Sequence, residues 1–377
     1  MVEATRTKKF VGVCIALYVS YALFVFVLLP MLLPDPVTMH RAIVAYQTRH
    51  LGNLSKYTLD KGGQPIRSML VTFRGSGALS LLHNLSHQPG CYHHYAPLVA
   101  YHSRFSAEQH AEQALDELVS LYSCNYNQSA QSMLKSGMAS YSFRRFYGVQ
   151  WKSCSTYPQD VCWDSKTIEH ICKLFPFINM SVYNLRLKYL AMLLEKKDLN
   201  IRILLLVRDP RGTMQSRSKR IWCIGNSDCD DPSVLCKDMV SDYVISKKLI
   251  KEYPLNFGII RYEDLAEHTA EVLPQIFDFY GIPFKRNEES LTGHPRFSEL
   301  SDKESGDASS MNEFDQQFPN QPAFEWITQL SANQVRAIQK APHCKEAMQM
   351  WGYRRINYDK DFSVDSFSSI IRKPLFS

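Results

Sequence analysis

Apolar positions fall into one long block near the N-terminus and several short blocks separated by polar segments. The long block, FVGVCIALYVSYALFVFVLLPMLL at residues 10–33, carries no charged side chain. It is longer than the ~20 residues that a helix needs to cross a bilayer core. It also exceeds the apolar region of a cleaved signal peptide, and no A-x-A-like cleavage site follows in LPDPVTMHRA. We therefore predict a transmembrane signal anchor at residues 10–33, after a cytoplasmic tail at residues 1–9.

Charges on either side of this block predict its orientation. Arg6, Lys8 and Lys9 precede it, whereas Arg41 is the first lysine or arginine after it. Basic residues collect on the cytoplasmic side of a membrane segment. We therefore expect a single-pass type II arrangement, in which the N-terminus is cytoplasmic and the rest of the chain is lumenal.

Three short apolar blocks each end in a turn that is followed by residues at helical spacing. They are SMLVTF (68–73), IRILLLV (201–207) and FGIIRY (257–262). The near-continuous apolar run at 201–207 is typical of a strand buried on both faces of a parallel sheet. Strands that alternate with helices indicate crossover connections. The sequence therefore predicts an α/β domain at residues 68–355, a P-loop-like three-layer sandwich with a central parallel sheet.

The segments around these strands have other predicted roles. Residues 34–67 lack sustained periodicity and predict a stem, and residues 356–377 are expected to form a C-terminal tail. Segments 100–180 and 285–325 are interpreted as excursions of the same domain on its substrate side, and SELSDKESGDASSMNEFDQQ as a mobile surface loop. Helices are expected at residues 185–196, 211–222 and 263–280.

Cysteines and sequons say more about the compartment than charge does. The net charge of +6 over 377 residues suits an enzyme of anionic ligands and ordinary surface charge equally. Ten cysteines occur, and in an oxidising lumen disulfides are the default. Cys14 lies in the predicted anchor, so an odd number remains and at least one thiol stays unpaired, with the pairing left open. N-x-S sequons occur at Asn53, Asn84, Asn127 and Asn179.

The turn Arg74-Gly75-Ser76-Gly77 after the first strand has the features of an anion site. Such a turn presents backbone N–H groups and the positive end of a helix dipole. Small residues let the backbone approach a ligand closely, and Arg74 supplies a guanidinium. No Gly-Lys-Ser/Thr follows, so ATP or GTP hydrolysis is unsupported. Taken alone, such a turn is more often a plain connection between strand and helix than a ligand site.

A second turn, in LLLVRDPRGTMQSR, is more specific. Arg208 stands at the carboxyl end of the buried strand, where open α/β sheets bind ligands. Ser216 follows about two helical turns later, on the same general side of the helix. Arg208 could grip a phosphate while the Ser216 hydroxyl donates to it. The structural alternative is an ion pair between Arg208 and Asp209 at a helix start, with Asp209 as the cap.

These motifs together resemble the Golgi carbohydrate sulfotransferases, especially the group that sulfates the 6-hydroxyl of galactose, N-acetylglucosamine or N-acetylgalactosamine. The similarity runs discontinuously from about Ser68 to Tyr353. Its specific parts are LLLVRDPRGTMQSR, then Cys223 and Cys236, then YPLNFGIIRYEDLAEH. A weaker tail consists of Trp326, Cys344 and Gly352-Tyr353.

The resemblance implies a co-substrate and residues that hold it. The co-substrate is 3′-phosphoadenosine 5′-phosphosulfate (PAPS), and no metal is implied. Its 5′-phosphosulfate would lie at the first turn, residues Arg74, Gly75, Ser76, Gly77 and Ala78. Its 3′-phosphate would lie at Arg208 and Ser216. In RYEDL, Glu263 and Asp264 are expected to cap the next helix and to pair with Arg261.

The chain departs from the family at two positions that matter for chemistry. The family's first turn usually reads Arg-Ser/Thr-Gly-Ser-Ser/Thr, whereas here Gly77 and Ala78 replace two hydroxyl residues and Ser76 replaces the glycine. The family commonly has Tyr/Phe-Glu-Pro where this chain has Tyr95-Ala96-Pro97, so a candidate base is missing.

His93 and His94 are the candidate bases that remain, since histidine is a competent base near neutral pH. On an extended segment the two side chains point to opposite faces, so one at most could enter a site. Packed histidines and, with His102, a metal site are the alternatives, and spacing does not support the metal.

Two functions follow as hypotheses. The first is a Golgi-membrane sulfotransferase that moves a sulfuryl group from PAPS to a hydroxyl of a glycan on a glycoprotein, proteoglycan or glycolipid. The second is a pseudoenzyme that binds the donor or a glycan, suggested by Gly77, Ala78 and Ala96. A nucleotide kinase lacks its phosphate-loop lysine. No nucleic-acid partner is expected, and a monomer or a homodimer remains open.

Overall fold

A computed structural model describes most of the predicted domain and a short N-terminal segment. The described residues are 2–28, 65–86, 88, 90–101, 104–126, 165–173, 175–218, 220, 223, 225–282 and 323–356. The predicted stem up to residue 64, the loop SELSDKESGDASSMNEFDQQ and the end of the C-terminal tail lie outside these ranges, as do Asn53, Asn127 and His102.

Five parallel strands form the central sheet, in the order β2-β3-β1-β4-β5. The strands are β1 (Ile66–Thr72), β2 (Cys91–Tyr95), β3 (Phe177–Val182), β4 (Ile201–Val207) and β5 (Phe257–Arg261). In register, Met69 of β1 lies between Met180 and Ile203. The α/β class and the central parallel sheet are therefore confirmed. The carboxyl ends of β1, β4 and β5, which precede the chemically interesting turns, lie side by side.

Fifteen α-helices are described, and most of them connect or follow the strands. They are α1 (Val2–Leu23), α2 (Ala78–Ser86), α3 (Arg104–Gln109), α4 (Ala111–Tyr122), α5 (Ser165–Cys172), α6 (Leu187–Leu190), α7 (Met192–Glu195), α8 (Pro210–Ser218), α9 (Ser227–Asp230), α10 (Pro232–Glu252), α11 (Tyr262–Glu267), α12 (Thr269–Tyr280), α13 (Trp326–Gln329), α14 (Ala332–Lys340) and α15 (Cys344–Met350). The single helix expected at 185–196 is two short ones, and the helix expected at 211–222 ends at Ser218.

Apolar side chains fill both faces of the sheet. Successive strand residues alternate between the faces, so Met69 and Val71 belong to one core while Leu70 belongs to the other. Helices α4 and α10 contribute to the first core, and α2 and α12 to the second. A sheet with a helical layer on each side is the three-layer arrangement that the alternating pattern predicts.

Strands β2 and β3 were not among the predicted strands, because polar residues interrupt their apolar pattern. In β3, FINMSV, Asn179 is fully buried and its amide donates to the hydroxyl of Ser68 on β1 at 2.6 Å. This cross-strand hydrogen bond satisfies a polar group that would otherwise be costly to bury. Asn179 is the asparagine of one N-x-S sequon, and Asn84, the asparagine of another, is buried in α2.

At the N-terminus, α1 continues as a π-helical turn at Phe24–Leu28. Among the described residues, no helix is both long enough and apolar enough to cross a membrane. Residues 29–33 of the predicted anchor lie outside the described part of the chain.

Within the described ranges, three disulfides join cysteines of the predicted lumenal portion. They are Cys124–Cys172, Cys223–Cys229 and Cys236–Cys344. Cys91, buried in β2, is a free thiol. Of these three disulfides, Cys236–Cys344 spans the most residues, 108, and it joins α15 to α10, the helix that contacts β5.

Candidate functional site

The first turn, residues 74–77, is shaped as a cradle of backbone N–H groups. Gly75 and Gly77 have φ of +85° and +77°. The residue before each of them, Arg74 and Ser76 respectively, does not have a positive φ. Alternating signs of φ are the backbone pattern of an anion nest. The N–H of Ser76 itself donates to the carbonyl oxygen of Phe73 at 3.1 Å, which closes the turn. Helix α2 begins directly afterwards at Ala78, so its N-terminus adds to the positive potential.

Crowding as well as dihedral angles requires glycine in this turn. A Cβ on Gly77 would lie 2.3 Å from Cε2 of Tyr262, far inside van der Waals contact. A Cβ on Gly75 would lie 3.0 Å from the carbonyl oxygen of Thr213 in α8. The first turn is therefore packed against both α8 and the residue that follows β5.

Arginines of the second motif take up the carbonyl groups of the first turn. Arg217 donates from Nε to the carbonyl oxygen of Arg74 at 2.8 Å, and Arg208 donates from Nη1 to that of Gly75 at 3.2 Å. Both carbonyl oxygens thus accept hydrogen bonds from guanidinium groups of the second motif. This arrangement raises the positive potential around the turn.

The hydroxyl of Ser76 is the group in the first turn that most clearly indicates a ligand site. Its side chain is 1% exposed, and within the described part of the chain its Oγ has no hydrogen-bond partner. A buried hydroxyl without a partner costs free energy that an oxyanion in the cradle would recover. Ala78, the first residue of α2, is buried beside it and offers no side-chain donor.

The second turn, residues 208–211, is held from two directions. Arg208 is buried, with its Cζ 4.4 Å from the centre of the Tyr262 ring, so it stacks on that ring while it reaches Gly75. Gly212 is tightly enclosed, because a Cβ there would lie 2.9 Å from Nε of Arg208 and from Cδ1 of Trp326. Ser216 lies half-buried in α8, two turns after Arg208.

The structural alternative for Asp209 is correct for the cap and wrong for the ion pair. Its carboxylate accepts the backbone N–H of Arg211 at 2.8 Å, which caps the start of α8. Its ionic partner is the guanidinium of Arg211, at 2.9 and 2.6 Å, rather than Arg208. Arg208 is unavailable to Asp209 because its side chain turns toward the first turn and Tyr262.

The motif RYED also differs in part from the expectation. Arg261 pairs with Asp264 at 2.7 and 3.1 Å, as expected. Glu263, however, is fully buried and accepts the backbone N–H of Asp209 and the hydroxyl of Tyr353, each at 2.9 Å. Burial and the nearby Asp209 raise the pKa of Glu263 to about 7. Glu263 therefore fixes the second turn instead of capping its own helix.

His93 and His94 lie inside the sheet. Their register with Asn179 and Met180 puts the two side chains on opposite faces, as the sequence predicts for a strand. His94 is fully buried, and its Nε2 lies 2.7 Å from the hydroxyl of Tyr126. Burial, and secondly the charge of His93, lower the pKa of His94 to about 3, so it is neutral at physiological pH. A role for either histidine as base stays a prediction.

Ala96 stands where the family commonly has a carboxylate, so this position has no acidic side chain. Ala96 has φ of +47°, and its N–H donates to the hydroxyl of Ser181 at 3.2 Å. Strand β3 separates this corner from β1 and the first turn. Within the described residues, no group of histidine, cysteine, aspartate and glutamate side chains is arranged to hold a metal ion.

A shallow pocket opens beside Arg74 at the carboxyl ends of β1 and β3. Arg104 forms part of its wall and donates to the carbonyls of Tyr183 at 2.9 Å and Thr72 at 3.1 Å, and to Asp238 at 3.0 Å. Sequence reasoning missed Arg104, Arg217 and Tyr262. Arg217 and Tyr262 stand within the quoted motifs, which was the available signal, whereas nothing around Arg104 marks it.

Comparisons with known proteins agree on one family. The model of the sulfotransferase domain family matches residues 65–352. Carbohydrate sulfotransferase 1 of Mus musculus is 27% identical over 202 residues, 48% of this chain and 46% of that protein. The Homo sapiens protein is 32% identical over 110 residues, 25% of this chain and 26% of that protein. The matches thus span less than half the length of these curated relatives.

Solved structures of sulfotransferase domains are also similar. The domain from the Synechococcus PCC 7002 olefin synthase gives a TM-score of 0.41 at 17% identity and covers 78% of this chain and 96% of that one. The domain from the curacin biosynthetic pathway gives 0.42 at 15% identity, with coverage of 78% and 99%.

Proposed function

The chain belongs to the sulfotransferase domain family, and from this premise we propose that it transfers a sulfuryl group from PAPS to a hydroxyl group of a glycan. The carbohydrate sulfotransferases among its relatives support a carbohydrate acceptor. The resemblance of the motifs favours the 6-hydroxyl of N-acetylglucosamine or of a galactose-type residue. The three disulfides support an oxidising compartment. With the apolar block at residues 10–33, they favour a type II protein of the Golgi membrane whose domain is lumenal.

The buried hydroxyl of Ser76 in the first turn is the observation that carries this proposal. Its Oγ lacks a partner within the described residues, and it stands in a cradle of N–H groups at the start of a helix. This combination fits a phosphosulfate group. The same cradle touches Arg208, the residue proposed for the 3′-phosphate, through the carbonyl of Gly75. One bisphosphorylated nucleotide is a ligand that would use both features.

Residues of the chain divide the work of binding and transfer. PAPS supplies an activated sulfuryl group when bound. The N–H groups of residues 75, 77 and 78, the Ser76 hydroxyl and Arg74 would hold its 5′-phosphosulfate, and Arg208 and Ser216 its 3′-phosphate. Transfer forms a bond from the acceptor oxygen to sulfur, breaks the bond from sulfur to the bridging oxygen, and passes the acceptor proton to a base. Donors at the first turn favour the negative charge that develops on the phosphate.

A second candidate function is a donor- or glycan-binding pseudoenzyme of the same fold. The observation that favours it is Ala96, which stands where the family commonly has a carboxylate and whose backbone N–H is bound to Ser181. Neutral, buried His94 offers little proton affinity in its place. In this candidate the anion turns bind a nucleotide that is not turned over.

Transfer from labelled PAPS by the full-length protein separates the two candidates. The acceptor panel consists of glycans that end in N-acetylglucosamine or galactose, and calorimetry with adenosine 3′,5′-bisphosphate measures nucleotide binding in parallel. We expect both binding and transfer. Binding without transfer to any acceptor would establish the pseudoenzyme instead. Restored transfer in Ala78→Ser with Ala96→Glu would then identify the missing groups. A folded protein without binding contradicts both candidates.

A further inference from the structure

Tyr262 connects the two turns, and neither composition nor the resemblance assigns it a role. It directly follows β5 and begins α11, so it stands at the carboxyl edge of the sheet next to β4. Its side chain is 8% exposed. A tyrosine buried at this edge is surrounded by the turns that follow β1 and β4 rather than by the apolar core alone.

One contact of the Tyr262 ring is the backbone of the first turn. A Cβ on Gly77 would lie 2.3 Å from Cε2 and 2.4 Å from Cδ2 of the ring. The ring therefore occupies the space that any side chain at position 77 would need. In this chain the position of the ring therefore requires glycine at position 77.

The other contact is the guanidinium of the second turn. Cζ of Arg208 lies 4.4 Å from the ring centre, within the range of a cation–π interaction. The same guanidinium donates from Nη1 to the carbonyl of Gly75. Ring, first turn and Arg208 thus form a closed set of contacts, in which the ring limits how closely Arg208 and Gly77 approach each other.

The residue after Tyr262 holds the same second turn by its backbone. Glu263 accepts the N–H of Asp209 at 2.9 Å. Two consecutive residues therefore fix both parts of the second turn, the Arg208 side chain and the Asp209 main chain. They do so from the start of α11, directly after β5, and neither of these elements carries one of the two turns.

We propose that Tyr262 is a positioning residue that sets the separation between the two anion sites, so that one bisphosphorylated nucleotide is bound at both ends at once. This inference rests on the proposed function. Two sites on one rigid ligand reinforce each other only when their spacing matches the ligand, and the gain is lost when it does not. Without the ring, Arg208 regains rotamer freedom and the spacing is no longer fixed.

The experiment compares three probe nucleotides on the full-length protein by calorimetry. Adenosine 3′,5′-bisphosphate engages both sites, and adenosine 5′-phosphate and adenosine 3′-phosphate engage one each. The quantity measured is the affinity advantage of the bisphosphate over the better single phosphate. We expect Tyr262→Leu to reduce that advantage about tenfold and to change each single-phosphate affinity by no more than about twofold.

Tyr262→Phe is the matched control, because it keeps the ring between Gly77 and Arg208 and removes only the hydroxyl. We expect it to keep the bisphosphate advantage within about twofold of the wild type. If Tyr262→Leu does not fold, as judged by thermal unfolding, Tyr262→Met replaces it, since methionine fills irregular space with little loss of stability.

Each outcome decides one proposal. An unchanged advantage in the folded Leu or Met variant overturns the role of Tyr262, and so does an equal loss for all three nucleotides, because general damage to packing has that signature. A wild-type protein that binds none of the probes overturns the proposed function instead.

Discussion

The side of the sheet formed by β1, β4 and β5, called the central region, and the β2 edge are parts of one parallel sheet but differ in their chemistry. At the carboxyl ends of β1, β4 and β5, Arg208 and Glu263 join the turns through hydrogen bonds. At the β2 edge, His94 is buried and neutral, and Ala96 presents only backbone to Ser181. The first region carries the two proposed anion sites, whereas the second has a neutral histidine and no carboxylate at position 96.

This difference separates binding from proton transfer within one site. Anion recognition depends on backbone N–H groups and guanidiniums, which the central strands fix rigidly. Proton acceptance depends on one side chain with a suitable pKa, which the edge strand does not supply at Ala96. The proposed nucleotide binding and the proton transfer therefore depend on different strands, and substitutions can test each of them alone.

Arg208→Ala should have the largest effect, because it breaks the central region. Truncating a buried, hydrogen-bonded cation that faces an anion should cost about 2–4 kcal/mol, or roughly 30- to 1000-fold in affinity for adenosine 3′,5′-bisphosphate. Calorimetry measures it. Exposed Arg354→Ala is the control for loss of one positive charge and should bind within about twofold of wild type. Equal losses in the two variants would reduce the effect to net charge.

Gly77→Ala should come next, through stability. The substitution combines left-handed φ with a clash against Tyr262, and we expect a loss of about 3 kcal/mol in the free energy of unfolding. Gly225→Ala is the matched control, since Gly225 has φ of +76° but nothing within 4 Å of its Cβ position. It should cost about 1 kcal/mol, the strain alone. Chemical denaturation measures both losses. Similar losses in the two variants would show that the Tyr262 ring moves aside without a measurable cost.

The central region was largely predictable from sequence, and the edge was not. Apolar runs predict strands β1, β4 and β5, and the turns after β1 and β4 carry the glycines and arginines of the proposed anion sites. Strands β2 and β3 contain His93, His94 and Asn179, whose burial is tolerable only because of neighbours that sequence order does not reveal, such as Ser68 for Asn179.

Contacts between motifs escaped prediction for a related reason. Glu263 and Asp264 are adjacent in the chain, and both were expected to serve the same helix. Only the pairing of β4 with β5 shows that Glu263 reaches Asp209, whereas Asp264 turns to Arg261. Residue types indicated an anion site, but the partner of each side chain depends on the order of strands in the sheet.

Glu263→Gln should change how the free energy of unfolding depends on pH in the central region. The pKa of Glu263 rises to about 7 in the folded protein because of burial and Asp209, with Tyr353 and Arg208 also nearby. A raised pKa gives stability at low pH that is lost as pH rises through the folded value. Relative to Gln, which keeps the shape, wild type should lose about 2 kcal/mol between pH 5 and pH 7.5.

Urea unfolding of both proteins at each pH gives the difference. Buried Asp242, whose pKa is also raised to about 7, is present in both proteins, so its contribution cancels. A difference that stays constant across this range would mean that Glu263 titrates at its ordinary value.

His94→Gln should give the smallest effect, with the opposite sign. The pKa of His94 falls to about 3 because of burial and His93, so the unfolded chain binds a proton that the folded protein refuses. Stability should therefore fall as pH drops below about 6.5. Glutamine can still hydrogen-bond to Tyr126, so wild type should lose about 1 kcal/mol relative to His94→Gln between pH 7.5 and pH 5.5. Because the edge is not expected to hold the nucleotide, affinity for adenosine 3′,5′-bisphosphate should stay within about twofold. A strong loss of that affinity would join the edge to the anion site and end the separation between the two regions.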